Sequence, residues 1–238
     1  MFALLKSAAL AAAFVVVATP AFAATTVRLT SAGIYSPGTV DLSRPATTTA
    51  PALAQSYFSS ILKFTADRGD GVGFDLLGFC IDLFHPISAG IDSQTPINLN
   101  YTRGAFLTDR DGNALTVAQQ RQIGGLADIG FTVARGNDVD RAVRLAAIQQ
   151  AIWTIEYPAI SFVAGNALPG QQAFADAYLA QAPSLSGVAR VIYADDNATQ
   201  GFIVSGVPEP TTWAMLIVGF GMAGVVSRRR RSLIQVAA

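Results

Sequence analysis

The chain has 238 residues, 51% of them hydrophobic and only 13% charged, with 16 basic and 16 acidic side chains and a formal net charge of zero. Between Ala24 and Val207 it holds 11 basic and 15 acidic residues, a balance of −4, which excludes the basic surface that nucleic acid requires; the remaining cations, Lys6 and Arg228 to Arg231, stand near the two ends. Its one cysteine, Cys80, excludes an internal disulfide framework.

Lys6 is the only charge at the N-terminus, Ala8 to Ala18 is apolar, and Ala21-Phe22-Ala23 supplies a small-x-small cleavage site. That pattern predicts a secretory signal peptide over residues 1–23, with a mature chain starting at Ala24. The mature part, residues 24–206, is one domain's worth of chain and long enough to bury a sizeable core. Thr26 to Leu29 reads as a strand, and Thr39 to Ser56, rich in Thr, Pro and Ala, reads as a surface loop or spacer.

Gly78 to Phe84 reads as a strand of apolar and β-branched residues ended by His85-Pro86. Alternation puts Cys80, Asp82 and Phe84 on one face and Phe79, Ile81 and Leu83 on the other. A lone cysteine in an exported chain is a buried inert thiol, an intermolecular link or a reactive group. His85, the only histidine, could serve a cysteine hydrolase only if a sharp turn brought it back toward Cys80, because five extended residues exceed hydrogen-bond reach.

Asp109 to Asn113 is turn-rich but lacks the downstream glutamate of a calcium loop, and no metal cluster is expected. Thr116-Val117-Ala118-Gln119 opens a helix with a capping box through about Ala127, weakened by Gly124-Gly125. Asn137-Asp138 is expected to cap a second helix, apolar through Leu145, Ala146, Ile148, Ile152 and Trp153 and stopped by Pro158. Within it Gln149 faces the packed side with Leu145, Ile152 and Trp153, and its amide needs a partner there. Pro169 to Ala182 fits a short amphipathic helix, Ala189 to Tyr193 and Gly201 to Val204 fit strands, and Asn197-Ala198-Thr199 is a coincidental glycosylation match. The fold class expected is α+β: a β-rich framework, sandwich or barrel-like, from both ends of the mature chain, with a helical subdomain inserted between Leu115 and Tyr157.

At the C-terminus Pro208-Glu209-Pro210 precedes Trp213-Ala214-Met215, an apolar run to Val226, and Arg228, Arg229, Arg230 and Arg231. Thr212 to Val226 is about 15 residues, short of the roughly 20 that a permanent span needs, and the arginines hold such a segment from the cytoplasmic side. Residues 207–232 closely resemble the PEP-CTERM sorting signal of Gram-negative bacteria, down to the Gly219-Phe220-Gly221 break; residues 233–238 are a short tail. The resemblance implies that an exosortase, a membrane protease-transpeptidase, recognises the triplet and removes the transmembrane helix and arginines. The inner membrane is then a transient partner, and the end point is the cell surface or extracellular matrix.

Phe79-Cys80-Ile81-Asp82 and Ile148-Gln149-Gln150-Ala151-Ile152-Trp153 together resemble the thioester domain of bacterial surface adhesins over about Asp75 to Tyr157. That resemblance implies a Cys80 sulfur joined to the Gln149 side-chain carbonyl, with Phe79, Asp82 and Trp153 in support and Gln150 in a variable position. No cofactor is called for. The functional expectation is an exported covalent binder that acts once on an amine-bearing surface or matrix ligand, and is not a turnover enzyme. The alternatives are a structural matrix or biofilm protein with a merely buried thiol, and a cysteine hydrolase using His85.

Overall fold

The computed structural model describes residues 26–35, 37–47, 51–67, 69, 71–81, 83–85, 87, 99–104, 115–196, 199–205, 219–220 and 222. Nine strands and three helices lie among them: β1 (Thr26–Ile34), β2 (Gly38–Arg44), β3 (Leu53–Ser59), β4 (Leu62–Asp67), β5 (Gly73–Cys80), β6 (Leu99–Gly104), α1 (Val117–Arg135), α2 (Arg141–Glu156), β7 (Ser161–Ala164), α3 (Gln171–Gln181), β8 (Val191–Ala194) and β9 (Phe202–Val204). Six strands close an antiparallel barrel in the order β1-β4-β5-β9-β8-β6, and β3-β2-β7 form a separate sheet. The expected α+β class and β-rich framework are present, in the barrel form.

Period-two alternation explains how the barrel is filled. Leu76 and Cys80 of β5, Phe202 and Val204 of β9, and Ile192 and Ala194 of β8 join one buried cluster with Leu29, Phe64 and Tyr101. The intervening residues Phe79, Ile203 and Val191 join a second cluster with the apolar faces of the helices. The helices therefore pack on one outer wall of the barrel, and β5 and β9 stand in that wall.

Three local expectations are corrected. Thr39 to Ser56 is largely strand, because Val40 and Leu42 of β2 are buried and β2 pairs along its whole length with β3. The α2 helix begins two residues later than expected, with Asp140 and not Asp138 at its N-cap, because Asp138 folds back to accept the Asp140 N–H at 3.0 Å. That bond, followed by the contact with Arg144, holds the Asp138 carboxyl below the usual carboxylate range. The α1 helix has the Thr116–Gln119 capping box but runs on to Arg135, through both glycines.

Those glycines are positions of close approach, which outweighs their poor helix propensity. A Cβ on Gly124 would stand 2.7 Å from the Ala189 backbone nitrogen and 2.8 Å from the Gly187 carbonyl, and Gly187 donates its N–H to Arg121 O at 3.0 Å. Backbone cannot step aside as a flexible side chain can. Gly124→Ala is therefore expected to lose about 1–2 kcal/mol in denaturant unfolding, although an alanine in an open helix position would gain stability.

Candidate functional site

The α2 helix carries Gln149 to Cys80. Alanines at positions 142, 146, 147 and 151 favour the helix, and from Leu145 to Trp153 every residue is buried, so the helix is enclosed rather than laid on a surface. Close packing against β2 and β3 holds its height: a Cβ on Gly38 would stand 2.7 Å from that of Ala146, and Ser59 Oγ of β3 donates to Ala146 O at 2.6 Å.

Gln149, with 0% exposure, meets the backbone of Cys80 across 69 residues of sequence. The Cys80 N–H donates to Gln149 Oε1 at 2.8 Å, and Gln149 Nε2 donates to Cys80 O at 2.8 Å. The amide that the sequence left in want of a partner thus has one for its oxygen and one for its nitrogen. Cys80 is the last residue of β5, 9% exposed and in no disulfide.

The strand expected to run on to Phe84 stops at Cys80, and Leu83 to His85 form a turn. Helix α2 supplies the reason. The Leu83 N–H donates to Tyr157 Oη at 3.2 Å, and Phe84 meets the Tyr157 ring edge-on at 5.5 Å, so these residues are drawn to the end of α2. Phe84 accordingly does not share a strand face with Cys80, and the extended spacing assumed between Cys80 and His85 does not apply. Asp82 lies outside the described residues.

Residues 149, 153 and 157 fall on one face of α2 at helical spacing. Trp153, 2% exposed, belongs to the same buried cluster as Cys80 and Tyr157, and stands 6.4 Å from the Tyr57 ring and 6.3 Å from that of Phe162. Its Nε1 is buried without a hydrogen-bond partner among the described residues. Phe79 points the other way, toward α1, where it packs 5.7 Å from Phe131 over Gly130. Phe79 thus supports the strand from behind, whereas Trp153 shares the cysteine's own cluster.

Gln150 has a larger structural part than a variable neighbour would. Its Nε2 donates to Phe162 O at 3.3 Å and to Gln172 Oε1 at 3.1 Å, and its Oε1 accepts from Gln171 Nε2 at 3.0 Å. Gln171 also donates to Thr39 O at 3.2 Å, and the Ala164 N–H donates to Gln172 Oε1 at 2.8 Å. These amides join α2, α3, β2 and β7, which sets the rotation of α2 and with it the direction of Gln149. Gln149-Gln150 and Gln171-Gln172 are adjacent pairs in the sequence, on α2 and on the amphipathic α3, but their meeting depends on the fold.

The sorting residues Pro208, Glu209, Pro210, Trp213, Arg228, Arg229, Arg230 and Arg231 lie outside the described residues, as do the signal peptide and most of the expected membrane segment. Among the described residues no helix is long and apolar enough to cross a membrane. No curated relative and no solved structure matches the chain. Residues 206–231 match the model of the PEP-CTERM protein-sorting motif, and by that motif the chain is an exported protein with a C-terminal sorting region and a substrate of an exosortase.

Proposed function

We propose that the exported domain forms an internal thioester between Cys80 and Gln149 and spends it once, on an amine of a surface or matrix partner. The observation that carries this reading is the buried pairing of the Gln149 carboxamide with the Cys80 peptide at 2.8 Å on both sides. In the first step Cys80 Sγ bonds to Gln149 Cδ, the Cδ–Nε2 bond breaks, and the thiol proton leaves with the nitrogen as ammonia. The Cys80 N–H, aimed at Oε1, would stabilise the negative charge that develops there, while Cys80 O orients the leaving nitrogen. In the second step an amine nitrogen bonds to Cδ, the Cδ–Sγ bond breaks, and sulfur takes the amine proton. Burial beside Trp153 and Tyr157 disfavours water as the competing nucleophile.

Intact mass and peptide mapping of the purified exported domain test this. The expected mass is one ammonia below that of the sequence, restored to the full value by Cys80→Ala and by Gln149→Ala and unaffected by His85→Ala. Methylamine should add its own mass at position 149 and release a titratable thiol. A thioester lost to water leaves glutamate at position 149, so glutamate there still supports the reading. An intact glutamine at 149 together with a free thiol overturns it and leaves a structural envelope or matrix domain in which the pairing only satisfies a buried amide.

A further inference from the structure

The sorting motif begins where the barrel ends. Every residue from Thr199 to Ser205 is buried, and Phe202 to Val204 form β9, which is hydrogen-bonded on both sides. On one side Val204, Ile203 and Phe202 pair with Gly78, Phe79 and Cys80 of β5; on the other Ile203 and Phe202 pair with Val191 and Ile192 of β8. The strand is secured to its last residues: the Val204 N–H donates to Arg190 O at 2.8 Å, the Ser205 N–H donates to Leu77 O at 2.9 Å, and the Leu77 N–H donates to Ser205 Oγ at 3.4 Å.

The motif match starts at residue 206, and only Gly206 and Val207 separate Ser205 from the Pro208-Glu209-Pro210 triplet. Three Cα-to-Cα steps of chain reach at most about 11 Å, so the sequence leaves little length between Ser205 and the triplet. A protease working at a membrane surface has to take extended chain on both sides of the bond it cuts, and folded chains are cut through local opening. Here the chain before the triplet is a two-sided barrel strand with almost no slack.

We propose that docking of β9 controls maturation: the exosortase reaches the triplet in molecules whose β9 has not yet paired with β5 and β8, or has come away from them. Barrel closure and removal of the anchor then compete for the same residues. Because β9 also pairs with Cys80, the competition couples release from the membrane to the order of the cysteine strand. This inference stands on the sorting motif and the strand pairing, independently of any thioester.

The test is a spacer of about a dozen Gly and Ser residues placed between Ser205 and Gly206. In pulse-chase of the full chain with its exosortase, the spaced chain should be processed about tenfold faster than the native one, with an unchanged unfolding midpoint of the domain. Ser205→Pro, which removes the N–H donated to Leu77 without adding slack, should also accelerate processing. In a second arm, residues 207–212 of the detergent-solubilised full chain are replaced by the recognition sequence of a soluble site-specific protease, with and without the spacer. About tenfold faster cleavage of the spaced form is the shielding by β9 that the proposal requires. Equal rates for spaced and unspaced chains in this arm, or processing of the native chain by the exosortase as fast as that of the spaced one, overturn the proposal.

Discussion

In a Cys80→Ala background, where the carboxamide stays intact, Gln149→Ala is expected to lower the unfolding free energy by about 2–5 kcal/mol, read from denaturant midpoints at unchanged slope. The substitution removes two hydrogen bonds of 2.8 Å and leaves the Cys80 N–H and C=O facing a small cavity at a position with no exposure. Gln149→Glu sharpens the test, because it keeps the acceptor for the Cys80 N–H and loses the donor to Cys80 O. At neutral pH a carboxylate would then face a carbonyl oxygen inside the core, and the cost should match or exceed that of the alanine. Burial favours the protonated acid, so the folded-state pKa of the introduced group lies above its unfolded value. The variant should therefore be most stable below the ordinary glutamate range and lose stability as pH rises from that range through the raised folded-state value. A Gln149→Glu protein as stable at neutral pH as its Cys80→Ala parent would show that the carboxamide nitrogen contributes nothing to holding the end of β5.

Trp153→Ala is expected to cost about 3–5 kcal/mol, the range for emptying a large buried aromatic site, while Trp153→Phe should cost much less. The difference follows from Nε1, which has no partner among the described residues, so phenylalanine gives up volume but no hydrogen bond seen there. The loss should come from packing against Tyr57, Phe162 and the cluster that includes Cys80. If the thioester forms, the space left by Trp153→Ala should admit water. Peptide mapping should then find more glutamate at position 149 than in Trp153→Phe. Equal losses for the two variants in thermal or denaturant unfolding would contradict this assignment of energy to ring volume.

The elements legible in the sequence are those whose signal is local. Thr116 and Gln119 announce the start of α1 because a capping box closes on itself within one turn. β-Branched and aromatic composition marked β1, β8 and β9, of which β8 and β9 are apolar and buried on both faces. The failures are equally physical. Gly124 and Gly125 carry a penalty in an isolated helix, but here Gly124 admits the backbone at Gly187 and Ala189 and Gly125 admits the Leu185 side chain, in a segment sixty or more positions away. Thr39 to Ser56 has the composition of a spacer, yet Val40 and Leu42 find a buried face once β7 and α2 supply one. Phe84 continues an apolar run in the sequence, but Tyr157 draws it out of line with the strand.

The same division runs through the candidate site. By itself the sequence determined the address, since a sorting signal is read as a linear pattern of triplet, apolar run and arginines. It also determined that Gln149 lies on the packed side of its helix, since helical period and apolar neighbours suffice for that. Only the tertiary structure decided what that side meets, because bringing Gln149 to the end of β5 depends on barrel closure, on the Gly38–Ala146 approach and on the buried Gln150, Gln171 and Gln172 amides together. It also decided that the chain is built into the barrel up to Ser205, so that the last barrel strand and the sorting triplet are almost contiguous, a consequence of hydrogen-bond pairing that no linear pattern encodes.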